Sequence, residues 1–310
     1  MNTPQLVPSR KFERILVAIA DPAAGMSMAV RRAGALAHAT DARIDLLNAI
    51  PSAMSEGTAH AQAEHFIRFE AEQNRRALER MANRLRREEI IVETTVQTGY
   101  PAHEAILRHA RNIKADLVVI EARKHRVFAR LLLTQTDFEL IRHCPVPLLI
   151  VKGRAAWRSP RILAALDPFH ANDKPSKLDD KIVDVAQTVA ALMHGSVHAA
   201  HVYRPYPRDI VAVPAGAAVY VLDPSQEKAH KAAIRQRFLE SLRRHGIGRS
   251  RAHLVCGEPA TDIPALARSL RAGLVVMGAV SRTGLKRIFI GNTAEYALDS
   301  LHCDVLVVKP

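Results

Sequence analysis

The chain has 310 residues, 48% hydrophobic and 24% charged, enough for two ordinary cores given that domains commonly run about 100–150 residues. No apolar run reaches the roughly 20 residues that cross a bilayer, and the polar, proline-bearing residues 1–14 lack a signal-type apolar core, so no membrane span is expected and the cytoplasm is the expected location. Cys144, Cys256 and Cys303 are too few for a disulfide framework, and a net charge of +13 with only 5% aromatic residues leaves no obvious stacking platform for nucleic acid.

Taken along the chain, short β-branched-rich runs at 15–20, 44–50, 91–96, 117–120 and 146–151 alternate with helically spaced segments at 26–39, 59–87 and 102–111. The same alternation returns with runs at 162–166, 197–202, 252–255, 274–277 and 305–308. Runs apolar on both faces predict buried strands of a parallel sheet, and helices between them predict right-handed βαβ crossovers. On 59–87, arginines such as Arg75, Arg76, Arg84, Arg86 and Arg87 interleave with Glu70, Glu72, Glu79, Glu88 and Glu89. This spacing, like that around Arg243 and Arg244, predicts solvated helix faces laced by i,i+4 pairs, which argues against nucleic acid as a partner.

Four landmarks repeat in one order. Arg14-Ile-Leu-Val-Ala-Ile19 returns as Arg161-Ile-Leu-Ala-Ala-Leu166, each followed by Asp-Pro: Asp21-Pro22 and Asp167-Pro168. Gly99-Tyr-Pro101-Ala returns as Gly257-Glu-Pro259-Ala, and Ala115-Asp-Leu-Val-Val-Ile120 as Ala272-Gly-Leu-Val-Val-Met277. His143-Cys144 ahead of a run ending Val151-Lys152 returns as His302-Cys303 ahead of Val308-Lys309. The chain therefore divides into two doubly wound α/β domains at 10–152 and 161–310, with 153–160 as linker. The two copies are expected to pack as an internal pseudo-dimer, with association into a homodimer left open.

Open parallel sheets bind ligands outside the carboxyl ends of their strands, where strand order reverses. After its fourth strand the second copy leaves through Gly278, crosses a basic loop containing Ser281 and Arg282, and opens its last helix with Gly291, Asn292 and Thr293. Small residues admit a phosphate to the backbone, and a helix start offers unpaired N–H groups.

On these motifs the chain resembles the tandem members of the universal stress protein family, closest to the E-type, from about Arg14 to Lys309. ATP-binding members of that family carry Gly, two residues, Gly, nine residues, Gly and Ser/Thr after the fourth strand. Gly278, Ser281, Gly291 and Asn292 stand in that frame, with two departures. The resemblance further implies that Asp167, with Pro168 behind it, and a residue near Val202 hold an adenine ring. In the first copy the frame reads Glu121, Lys124, Thr134 and Gln135, so every glycine is gone, and a carboxylate at Glu121 repels phosphate. That copy is expected to serve as a packing partner, although Asp21 is retained.

Residues 210–222 are an unusually apolar stretch without a counterpart in the first copy. Val211, Val213, Val219 and Val221 pack against their own surroundings or line an apolar cavity suited to an amphipathic small molecule.

Several chemistries find no support. His194, His198 and His201 cluster in sequence, but on a strand His198 and His201 face opposite ways, and no zinc-type spacing occurs, so no metal is expected. There is no Gly-x-Ser-x-Gly elbow and no dinucleotide glycine fingerprint after either first strand. No catalytic residue can be nominated. The function expected is stress response through ligand or partner binding, with the second copy as the small-molecule site. Two other readings stay open: an ATP binder with slow hydrolysis, and a basic nucleic-acid-associated regulator.

Overall fold

The structure, a computed structural model, describes residues 12–51, 58–98, 101–124, 131–169, 177–204, 209–212, 218–221, 224–279 and 292–310. In chain order the first half comprises β1 (Arg14–Ala18), α1 (Met28–Thr40), β2 (Arg43–Ile50), α2 (Thr58–Arg86), β3 (Val92–Thr98), α3 (Ala102–Asn112), β4 (Leu117–Glu121), a short antiparallel ribbon of β5 (Arg123–Lys124) and β6 (Leu131–Leu132), α4 (Gln135–His143) and β7 (Leu148–Val151). The second comprises β8 (Arg161–Ala165), α5 (Leu178–Leu192), β9 (Ser196–Tyr203), β10 (Asp209–Ala212), β11 (Ala218–Val221), α6 (Pro224–Arg243), β12 (Ala252–Cys256), α7 (Pro259–Ser269), β13 (Leu274–Gly278), α8 (Asn292–Ser300) and β14 (Asp304–Val308).

Ten strands form one sheet in the order β12-β9-β8-β13-β14-β7-β4-β1-β2-β3. Within each half the strands run parallel in the same winding, and strand order reverses between β1 and β4 and between β8 and β13. The halves meet through β14 and β7, which pair antiparallel with Leu306 opposite Leu149. The carboxyl ends of the first half's strands therefore lie on one edge of the sheet and those of the second half on the other.

Both faces are covered, which explains the near-continuous apolar strands. Leu16, Ile44, Val118, Ile150, Leu163, Val275 and Val305 are all fully enclosed. One core layer lies under α1, α2, α5 and α6, and the other under α3, α4, α7 and α8, each running across the junction.

Polar contacts pin the junction. Arg32 Nε lies 2.6 Å from Asp304 Oδ2, with both side chains buried. Its guanidinium also donates to the Ala155 carbonyl and stacks on Trp157 at 4.8 Å. Asp304 Oδ1 accepts the backbone N–H groups of Lys152 and Gly153 at 2.8 and 2.6 Å. The repeated Val-Lys landmarks act reciprocally. Lys152 donates to the Leu301 carbonyl at 3.0 Å, at the end of α8, while Lys309 donates to the Arg142 carbonyl in the last turn of α4. Each half's terminal lysine thus caps the other half's last helix, where unpaired carbonyls and the helix dipole favour a cation. Burial lowers both lysine pKa values, Lys309 to about 8, and burial raises the Cys303 thiol to about 12.

Expected helix-face ion pairs are present on α2: Glu72 with Arg75 and Arg76 at 2.7 and 3.0 Å, and Glu79 with Arg86 at 2.8 Å. The repeated Gly-x-Pro-Ala motif starts a helix. Above Gly257 the Asp262 carboxylate accepts the Glu258 N–H at 2.7 Å, in space a Cβ would occupy. The apolar stretch after β9 contains an antiparallel hairpin in which Val211 pairs with Val219 and Asp209 with Val221.

Candidate functional site

Three neighbouring strands of the second half bring expected site residues to one edge. Asp167 and Pro168 follow β8, Val202 lies near the end of β9, and Gly278 closes β13. The Leu166 N–H bonds the Ala200 carbonyl at 2.8 Å, carrying the β8–β9 register past the strand end, so Asp167 and Val202 sit alongside each other. Asn292 and Thr293 open α8 as expected. Ser281, Arg282 and Gly291, together with Val213, lie outside the described residues; Val211, Val219 and Val221 are placed in the hairpin by their backbone alone.

Local chemistry explains several of these residues without a ligand. Asp167 Oδ1 accepts the Phe169 N–H at 3.4 Å, as Asp21 Oδ1 accepts those of Ala23 and Ala24 at 3.0 and 3.3 Å. Both aspartates thus hold the turn that follows their strand. The Asp167 N–H in turn donates to Asp179 in the first turn of α5, at 3.2 Å. Packing favours glycine at 278: an added Cβ would meet Leu178 Cδ2 at 2.7 Å and Ile182 Cδ1 at 3.2 Å.

In the first half, carboxylates near the corresponding strand end and helix start are engaged as helix caps. Glu121, ending β4 as Gly278 ends β13, accepts the Ala29 N–H of α1 at 3.0 Å. Thr134, standing where the frame has Gly291, forms a capping box with Asp137: its hydroxyl accepts the Asp137 N–H at 3.3 Å and its own N–H donates to Asp137 Oδ2 at 2.7 Å. The two helix starts that would face a phosphate are each satisfied by the chain's own anion.

Beside Asp167 a groove of about 440 Å³ opens between α5 and α6. Leu166, Pro168 and Val183 form its apolar part; Asp180, Arg237, Glu240, Ser241, Arg244 and His245 form its polar walls. His245 Nε2 bonds Asp180 Oδ1 at 2.9 Å, and the Arg237 guanidinium lies 5.0 Å from the Phe169 ring. The α6 residues were missed from sequence, yet 237, 240, 241 and 244 share one helix face, and that polar stripe was the available signal.

His198 and His201 do face opposite sides of the sheet. His198 Nδ1 approaches His253 Nε2 at 3.0 Å in a stacked pair on one side, while His201 packs between Phe169 and Phe238 on the other. Burial lowers the pKa of both paired histidines, and for His198 the facing His253 charge lowers it further. Among the described residues no group of three or more His, Cys, Asp or Glu side chains is placed to hold a metal ion, and no helix is long and apolar enough to cross a membrane.

The model of the universal stress protein family matches residues 11–152 and again 160–309. Universal stress protein E of Escherichia coli K12 is 34% identical over 217 residues, 67% of this chain and just under two thirds (65%) of that protein's length. A universal stress protein E homolog of Haemophilus influenzae is 28% identical over 313 residues, covering 97% of this chain and 98% of its own. A crystal structure of a protein of unknown function from Pseudomonas aeruginosa PAO1 superimposes with a TM-score of 0.75 at 25% identity, over 96% of this chain and 93% of the other. Two family matches in tandem, on two halves of like winding, show that the chain belongs to the universal stress protein family.

Proposed function

We propose that the protein serves in stress response by binding a small molecule in its second half, the first half acting as its structural partner. The observation that carries this reading is the asymmetry at the strand ends. Asp167 follows β8 and Gly278 closes β13 at the switch point, with Val202 near the end of neighbouring β9, and a groove of ligand size is lined by Leu166 and Pro168 on either side of Asp167, whereas Glu121 closes the position matching Gly278 in the first half. An apolar floor with charged walls suits a molecule with a planar or apolar body and a polar head, and an adenine nucleotide is the first to try. The role assigned is binding.

Native mass spectrometry of freshly purified protein, followed by extraction, tests this reading directly. A bound small molecule, lost when Asp167 and Arg237 are replaced by alanine, supports it. ATP would favour the nucleotide form of the reading, and magnesium-dependent phosphate release would add slow hydrolysis. A lipid-like molecule would move the contact to Val211, Val219 and Val221. An empty protein indifferent to added nucleotides and amphiphiles overturns it.

A further inference from the structure

The opposite edge of the second half, where its strands begin, has a charge pattern the first half lacks. The residues entering β8 include Arg158 and Arg161, those entering β12 include Arg249 and Arg251, and those entering β13 include Arg268 and Arg271. In the sheet order β12-β9-β8-β13 these entries lie along one edge across three strand spacings, roughly 14 Å, with the entry of β9 between those of β12 and β8. All six arginines are exposed except Arg251, which is half-buried. None joins a described ion pair; Arg161 donates to the Leu270 carbonyl at 2.9 Å.

Basic residues near helix ends are often explained by the helix dipole alone. The first half is an internal control, because its helices end at the equivalent edge. There Glu13 precedes β1, Asp41 precedes β2, Glu88 and Glu89 precede β3, and Asp116 precedes β4, all interspersed with arginines and lysine. Helix dipoles are the same in both halves, so they do not account for carboxylates at the entries of β1 to β4 and none at those of β8, β9, β12 and β13; Asp304, which opens β14, is buried against Arg32. No helical run reveals this edge, because its arginines are scattered over more than 110 residues of sequence and converge only in the parallel sheet.

We propose that this edge docks the phosphate backbone of duplex nucleic acid without reading its sequence. Guanidinium groups match phosphate oxygens in bidentate geometry. A span of roughly 14 Å faces about four phosphates along one strand of a duplex. No large hydrophobic side chain is exposed at these entries; Phe66, Phe69, Ile91 and Tyr296 lie elsewhere. The edge therefore has neither a stacking platform for single strands nor an apolar wedge for a lipid surface. It lies across the sheet from Asp167 and Gly278, so both surfaces can be occupied together.

Fluorescence anisotropy of the intact protein on a short random-sequence DNA duplex tests the proposal. About four phosphate contacts predict a slope of log K against log salt near −4, and a loss on the order of a hundredfold between about 50 and 200 mM salt. Replacing Arg249 and Arg271 together by glutamine should reduce the slope by about 2. The pair Arg84→Gln, in the last turn of α2, and Arg87→Gln, just beyond it, removes the same formal charge and should leave binding within about twofold, the size of a general charge effect. Equal weakening by both pairs, tighter binding of single strands, or capture of phosphatidylserine vesicles in place of the duplex would each overturn it, as would no binding at low salt. Unfolding curves of both double variants exclude loss of structure as the cause.

Discussion

Glu121 and Gly278 end equivalent strands, and the helix beside each fills the same space in opposite ways. In the first half a carboxylate reaches across to the Ala29 N–H; in the second, Leu178 packs where a side chain would have stood. One chain therefore contains both a carboxylate and a glycine form of the same strand end.

Gly278→Ala should destabilise by about 1–3 kcal/mol, because its Cβ overlaps Leu178 in a closed core layer. Glu121→Ala should cost about 0.5–2 kcal/mol through loss of a cap. Urea unfolding of each variant measures both; a neutral Gly278→Ala would mean that the glycine is there for a ligand and not for packing.

Asp304→Ala leaves the Arg32 guanidinium buried without its carboxylate and removes the acceptor of two backbone N–H groups. A loss of about 3–5 kcal/mol is expected. Arg32→Met with Asp304→Leu should recover much of it, and a double-mutant cycle in denaturant separates the pair from its parts.

Lys309 has a folded pKa near 8, below its ordinary value of 10.5, because burial disfavours its charge. The unfolded chain therefore holds more protons between those values, and stability rises as pH climbs through that window. Relative to Lys309→Met, the natural protein should gain stability from about pH 8 to 10.5. A flat or falling difference in paired thermal melts would contradict the burial of this ammonium group.

The His198–His253 pair predicts the acid limb. Both folded pKa values lie below 6.5, so each ring is neutral in the fold and must become charged as acid is added. Stability should fall as pH drops below 6.5 and through the folded pKa values. His253→Gln should flatten that fall; an unchanged acid slope would assign it to other groups.

Much of this was legible in sequence because strands buried on both faces and a duplicated landmark order leave few topologies. The ten sheet strands appear where their apolar runs stand. The ribbon of β5 and β6 escaped notice because two residues per strand carry no periodicity, and the hairpin at Asp209–Ala212 and Ala218–Val221 because continuous apolarity does not reveal a turn. The capping role of Glu121 depends on the end of β4 meeting the start of α1, 92 residues earlier, which no local pattern encodes. Lys152 and Lys309 were visible as repeats, but their exchange of carbonyl partners follows only from antiparallel pairing of β7 with β14.

The Arg32–Asp304 contact occurs once, although everything around it is duplicated. The segment before β7 offers Pro145, Val146 and Pro147 and no carboxylate, and α5 contains no arginine. Two first halves brought together would strand a buried positive charge, and two second halves a buried negative one. The seam therefore selects unlike halves while remaining indifferent to whether one chain or two supply them, so partners exchanged between neighbouring molecules would fit as well as those joined by residues 153–160.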